Sequence, residues 1–217
     1  MNIMKPKFSV IIATYNRMEQ LKIALNSLLN QDENNWEAWI IDDGSTDKTY
    51  ELIENLQKID QRINYFRQKN KGATKAKNKG IQLSNAEFIT FLDSDDYYLN
   101  NHLSLRKNYL NENPKVDFLH GGAIIIGNQY VPDRNQPDQL IHLSKCIIGG
   151  TFFIKNEILK QMGGFNELPI GTDAELYERA IKANIIIHKI SDETYVYNRI
   201  VNNSITHNFN KKMNQSS

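Results

Sequence analysis

Residues 88–96 read Phe88-Ile89-Thr90-Phe91-Leu92-Asp93-Ser94-Asp95-Asp96, an apolar run of strand length that ends in three carboxylates within four residues. A short apolar run bounded in this way reads as a buried strand. Like charges so close together are costly unless water or a cation neutralises them. In an α/β sheet the carboxyl end of a strand is also where ligands bind. A cation held there by one or two carboxylates keeps its other positions for waters or a substrate's phosphates. Asp is equally a common turn residue, so a solvated acidic turn is the competing reading of this segment taken alone.

Upstream of it, strands and helices alternate. Phe8–Ala13 reads as a buried strand, and Met18–Gln31 as a helix with Leu21, Ala24, Leu25, Leu28 and Leu29 on one face. Trp36–Ile41 is a second strand, followed by the turn Asp42–Asp47 and a helix to about Ile59. Ile63–Arg67 is a third strand, Ala73–Leu83 a helix, and Phe88–Leu92 the fourth strand. The order βαβαβαβ predicts a Rossmann-like, mostly parallel sheet with helices on both faces and right-handed crossovers. Its carboxyl edge gathers the polar loops after Ala13, Ile41, Arg67 and Leu92.

Downstream, a helix from about Asn101 to Asn113 stops before Pro114. Val116–Ile126 reads as one strand, Gly127–Leu143 as a polar loop, and Gly150–Lys155 as another strand. A short helix reaches Met162 before the Gly163-Gly164 break. Asp173–Ala183 is a helix with Thr172 or Asp173 as its N-cap. Ile185–Ile190 and Thr194–Arg199 read as closing strands, and the chain turns polar from Asn202.

The 217 residues fit one large domain or two small ones, enough for a substantial core, and no linker that would separate two domains is visible in the sequence. Hydrophobic content of 40% and charged content of 24% are those of a soluble globular protein. A net charge of +1 without a long basic run gives nucleic acid no support as a partner. Cys146 is the sole cysteine, which excludes a disulfide framework and points to a reducing compartment. No apolar stretch reaches the length of a membrane span, and Met1–Lys7 lacks a signal-peptide core. The expected location is the cytoplasm, with contact at the inner face of the membrane left open.

The four loops carry complementary chemistry. Ala13-Thr14-Tyr15-Asn16-Arg17 offers backbone amides, an aromatic face and a guanidinium, and Asp43 is a carboxylate that can accept an N–H from a base. Asn70-Lys71-Gly72 through Lys77 places lysines and a flexible glycine after the third strand, and Asp93-Ser94-Asp95 closes the fourth. Base, ribose, diphosphate and metal each find a suitable partner in chain order.

With these segments in view, the chain resembles a family 2 glycosyltransferase of the GT-A fold. The matching stretches are FSVIIATYNR, WIIDDGSTD, NKGATKAKNKGI, FITFLDSDD, and GGFNE followed by TDAELYERA, which together cover roughly residues 7–200. The resemblance implies an inverting transferase that moves a sugar from a nucleotide-diphosphate sugar, a UDP-sugar by preference, to a saccharide or lipid-linked saccharide acceptor. Polysaccharide or glycoconjugate synthesis is the implied setting. Residues 1–98 would form the donor-binding half, 99–201 the acceptor-binding half of the same domain with a smaller mixed region, and 202–217 a polar tail. Ala13, Thr14, Tyr15 and Arg17 would wall the nucleotide pocket, with Tyr15 near the base and Asp43 bound to it. Asn70, Gly72 and Lys77 would face the donor, Lys77 standing where family members often have arginine. Asp93-Ser94-Asp95 would be the DxD motif. Asp95 would hold a divalent cation (Mn2+ or Mg2+), and Asp93 would contact the ribose or a metal-bound water. Asp173 would be the general base, preceded here by Thr172 where the family has Glu.

One departure stands out. Family members often carry a His after an aromatic-Arg pair near the end of the catalytic region, whereas this chain reads Tyr197-Asn198-Arg199-Ile200, and His207 lies farther on. Asp43 and Asp47 also suit turn and cap roles, Tyr15 a core role, and His102, His120, His142 and His188 show no ligand spacing. Two rival functions fit parts of the pattern. A non-catalytic sugar-nucleotide-binding module would need the same donor half. A metal-dependent phosphatase with Asp93 as nucleophile would place its acidic loop on an earlier strand.

Overall fold

The computed structural model describes residues 5–200, so the polar tail 202–217 with His207 and the first residues of the chain lie outside the described residues. β1 (Phe8–Thr14), α1 (Met18–Leu29), β2 (Trp36–Asp42), α2 (Thr49–Gln57), β3 (Ile63–Arg67), α3 (Ala73–Leu83) and β4 (Phe88–Phe91) form the expected alternation. β1 lies between β2 and β4 and is parallel to both, and β3 runs parallel to β2. The register aligns Thr14 with Asp42 and Asp42 with Arg67, so the strands end together and their loops share one edge.

Strand alternation explains why both faces need cover. Phe8, Val10 and Ile12 of β1 point into one core with Leu21, Leu25 and Leu28 of α1 and Ile53 of α2. Ile11 points into the other, with Ile81 of α3 and Ile89 and Phe91 of β4. All of these are buried, and each fully buried side chain of this size contributes about 1.5–3 kcal/mol.

The second half completes the same sheet. It runs through β5 (Tyr97–Tyr98), α4 (His102–Glu112), β6 (Phe118–His120), β7 (Ala123–Ile126), β8 (Tyr130–Pro132), β9 (Leu140–His142), β10 (Phe153–Lys155), α5 (Asn156–Gln161), α6 (Thr172–Lys182), β11 (Ile187–Lys189) and β12 (Tyr195–Asn198). β10 enters antiparallel between β4 and β6, giving the seven-stranded order β11-β6-β10-β4-β1-β2-β3. β5, β12 and β7 form a smaller mixed sheet, and β8 pairs with β9 as a hairpin. This mostly parallel α/β sheet with a smaller mixed region is the fold class expected.

Four local expectations need correction. Val116–Ile126 is two strands: β6 stays in the main sheet, and β7 leaves at Gly121-Gly122 to pair with β12. A Cβ on Gly122 would lie 2.7 Å from Glu193 Cγ, so the crossover has no room for a side chain. The expected strand from Gly150 begins only at Phe153, because residues 149–151 make a 3-10 turn. The polar stretch 127–143 contains the β8–β9 hairpin. The N-cap of α6 is Gly171, in the left-handed conformation with φ 75°, and neither Thr172 nor Asp173 caps the helix. Asp173 is instead in the first turn, where its carboxylate is free to serve elsewhere.

Candidate active site

The acidic loop after β4 sits between two cations. Arg17, just after β1, forms an ion pair with Asp95 at 2.8 Å, and Lys77 of α3 forms one with Asp93 at 2.8 Å. Burial pushes Asp95 above the usual carboxylate range; Arg17 opposes that and Asp93 adds to it. Burial also works against the charge on Lys77, but Asp93 and Asp173 outweigh it and hold the ammonium above the ordinary lysine range.

Asp96 has a different task. It is buried and accepts a short hydrogen bond from the Tyr195 hydroxyl and one from the Asn198 backbone N–H at 2.8 Å. Burial, then the charges of Asp93 and Asp95, hold its carboxyl well above the usual range. Asp96 thus ties the acidic loop to β12. Tyr195 in turn packs so closely on Gly150 that a Cβ there would lie 2.1 Å from its ring.

Asp173 completes the arrangement from the far half of the chain. Its Oδ2 accepts the Gly149 N–H at 2.9 Å. Burial pushes its carboxyl up, Lys77 pulls against that, and Asp93 adds to it. Two clefts meet at this residue. One, of about 290 Å3, is lined by Ala13, Arg17, Lys77, Ser94 and Asp95. The other, of about 380 Å3, is lined by Val131 and Ile141 of the hairpin, Ile148 and Tyr177. Asp93, Gly171, Asp173 and Tyr197 line both.

The remaining expected residues form a neighbouring shelf outside the first cleft. Asp43 accepts hydrogen bonds from Gln68 Nε2 and Lys71 N–H at 2.8 Å and from Gly72 N–H at 2.7 Å, which folds the β3–α3 loop back over β2. A carboxylate has about four acceptor positions, so one remains for a ligand N–H. Thr14 is buried and its carbonyl accepts the Asp43 N–H at 2.9 Å. Tyr15 is 47% exposed on the rim. Asn16 locks this loop to the next, its Oδ1 accepting the Thr46 N–H at 2.7 Å. Gly72 takes φ 92° at the start of α3, and Asn70 stands exposed on the loop without joining the cleft.

Among the described residues no three His, Cys, Asp or Glu side chains converge on a metal position. Asp93 and Asp95 nevertheless offer the one or two carboxylates with which a hard cation binds when substrate phosphates supply further oxygens. That donor set fits a divalent ion arriving with a diphosphate, with Arg17 and Lys77 holding the carboxylates in its absence.

Sequence reasoning did not foresee Arg17 as the partner of Asp95, the anchoring of Asp96 by Tyr195, or Gly149 as the support of Asp173. The Gly149-Gly150 pair was the one local signal for the last of these, since paired glycines ahead of a strand mark close backbone approach.

The architecture and the loops at its edge define a GT-A glycosyltransferase fold, and solved structures agree. Staphylococcus aureus TarS 1-349, solved in complex with UDP-GlcNAc, superposes with a TM-score of 0.77 at 25% identity, covering 92% of this chain and 60% of that one. The mannosyltransferase PcManGT from Pyrobaculum calidifontis, solved with GDP-Man and Mn2+, shares the fold at a TM-score of 0.74 and 16% identity, over 98% of this chain and 62% of its own. The chain belongs to glycosyl transferase family 2, whose model matches residues 9–173. It is 43% identical over 196 residues to the GalNAc(5)-diNAcBac-PP-undecaprenol beta-1,3-glucosyltransferase of Campylobacter jejuni, a match that covers 85% of this chain and 63% of that protein. An uncharacterized glycosyltransferase of Rickettsia bellii is 45% identical over 107 residues, 49% of this chain and 15% of its own. The chain therefore spans less than two thirds of these relatives' length. No helix among the described residues is long and apolar enough to cross a membrane.

Proposed function

We propose that the chain is an inverting glycosyltransferase that moves a sugar from a UDP-sugar to a hydroxyl of a saccharide acceptor, with Asp173 as general base. The observation that carries this reading is the position of Asp173 where the two clefts meet, with Lys77 and the acidic loop on one side and the β8–β9 hairpin on the other. The first cleft takes the donor's diphosphate and sugar, the Asp43 shelf its base, and the second cleft the acceptor. The relative named for a lipid-linked saccharide substrate and the neighbour solved with a UDP-sugar support this choice of partners.

In the reaction, the acceptor hydroxyl gives its proton to the Asp173 carboxylate while its oxygen bonds to the anomeric carbon. The bond from that carbon to the diphosphate oxygen breaks on the opposite face, and the diphosphate leaves with the electron pair. A neutral sugar hydroxyl is a poor nucleophile, so a positioned base contributes directly. The Gly149 N–H fixes the carboxylate's orientation. The raised Asp173 pKa makes it a stronger base than an exposed Asp. Lys77 stays protonated next to it and can meet the donor's phosphate charge. A divalent cation on Asp95 and Asp93 would offset charge on the departing diphosphate, which is where a metal helps most.

Calorimetric titration with UDP, with and without Mn2+, tests the donor side. Mn2+ should strengthen UDP binding, and Asp95→Ala should remove most of that gain. Metal-dependent binding that survives Asp95→Ala would move the cation elsewhere.

A further inference from the structure

Behind the acceptor cleft lies a separate cavity of about 530 Å3, within the size range of small-molecule sites, roughly 300–1,000 Å3. The segment 143–148 divides the two spaces, and Leu143, Cys146, Ile147 and Ile148 line both.

One buried polar group lines this cavity without a protein partner. His120, the last residue of β6, is 5% exposed and lines the cavity, yet neither ring nitrogen has a hydrogen-bond partner among the described residues. Its ring makes edge contacts with Phe118 and, at 5.0 Å between centroids, with Tyr177, which lines the acceptor cleft. Burial, with Lys189 adding to it, lowers its pKa to about 4, so the imidazole is neutral at pH 7 and carries one donor and one acceptor. Its nitrogens are not sealed from water, so they open to the cavity and can pair with a ligand there.

The surroundings narrow what could pair with it. Ile124, Ile147 and Ile148 supply aliphatic walls, while Lys189 and Glu193 balance each other in charge. A hydroxyl both donates and accepts, matching a neutral imidazole, and the C–H faces of a sugar ring suit aliphatic walls. A phosphate would find only one cation and a carboxylate beside it.

We propose that this cavity is a second saccharide subsite, which holds a neutral sugar unit of an extended acceptor behind the unit that reacts, with His120 as its polar anchor. The proposal rests on reading the second cleft as the acceptor site.

The test uses the full chain with 15N-labelled histidine, and His120→Phe assigns the His120 ring signals. The probes are methyl glycosides of glucose, galactose, N-acetylglucosamine and N-acetylgalactosamine, and β-linked disaccharides of the same sugars. At least one disaccharide should shift the His120 nitrogens saturably and more than its monosaccharide does. His120→Phe should weaken that binding at least tenfold while leaving UDP affinity within twofold. If His120→Phe does not fold, Ile124→Trp narrows the same cavity from β7 and should weaken disaccharide binding likewise. Normal UDP binding with no sugar moving His120 would overturn the subsite and leave the donor reading intact. Sugar shifts at His120 without UDP binding would keep the subsite and overturn the donor reading. Loss of both would overturn both. A shift caused by octanol and by none of the sugars would make the cavity a lipid pocket and overturn the proposal.

Discussion

Asp173→Asn separates chemistry from architecture at the proposed base. Asn keeps the shape of the side chain and an oxygen for the Gly149 N–H, now 2.9 Å from the carboxylate. Gly171 is the N-cap of α6, so no capping hydrogen bond is lost, and Glu175 keeps a carboxylate in the first turn. What disappears is the proton acceptor. Losing a positioned base costs roughly 10²–10⁴ in rate, which at about 1.36 kcal/mol per tenfold is roughly 2.7–5.4 kcal/mol of barrier. Stability should move the other way. The folded-state pKa of Asp173 is raised, so the folded protein disfavours the ionised form relative to the unfolded chain. The cost is present at neutral pH and is relieved as pH falls through the raised folded value. Removing the charge relieves it at every pH, and Lys77 keeps Asp93 at 2.8 Å. Transfer at saturating donor and acceptor should fall at least a hundredfold, with UDP affinity unchanged and Tm at pH 7 equal to or above the parent's. The parent's rate should rise as one group with a raised carboxylate pKa loses its proton, and that limb should vanish in the variant. Turnover within about threefold of the parent would refute the base assignment, since a base contributes roughly a hundredfold or more. A Tm several degrees lower would refute the electrostatic argument.

Three further substitutions probe the supports of the site. Tyr195→Phe removes the hydroxyl that donates to Asp96, a loss of about 1–3 kcal/mol; calorimetry should show Tm lower by roughly 2–12 °C for a chain of this length, and an unchanged Tm would mean the bond contributes nothing. Gly149→Ala places a methyl 2.5 Å from the Asp173 carboxyl carbon, so transfer should fall about tenfold or more, as expected when a base is displaced, while a UDP titration stays as in the parent. Asp43→Ala releases three N–H groups of the 68–72 loop and should weaken UDP binding with or without Mn2+; intact metal-free affinity would leave Asp43 a loop anchor alone.

The first half of the fold was legible because its signals are local. Its central strands β1 and β4 are mostly apolar runs buried along almost their whole length, and each loop carries its own polar signature. The second half depends on contacts between distant residues. β6 and β7 lie in one stretch that reads as a single strand, and the close contacts of Gly121 with Ile190 and of Gly122 with Glu193 divide it. β5 is two tyrosines, too short for any periodicity to register. Resemblance led to Asp173, but nothing near it in sequence says that its partner is the backbone of Gly149. Asp96 looked like one more carboxylate in a cluster, and its buried role appears only when Tyr195 is brought to it. Asp43 could be read for its charge but not for the three amide protons, borrowed from the next crossover, that hold it in place.

The insertion of β10 next to β4 bears on how such a protein can be made or divided. During synthesis β4 emerges well before the strand that will cover its outer side. Until β10 arrives, a row of unpaired backbone amides and carbonyls faces outward between apolar side chains, and such an edge is a template for pairing with another chain. A fragment ending after the acidic loop would keep every loop of the proposed donor site and still present that open edge to its neighbours. The half proposed to bind the nucleotide is therefore not a transplantable part: its β4 edge is covered by a strand encoded in the half proposed to bind the acceptor.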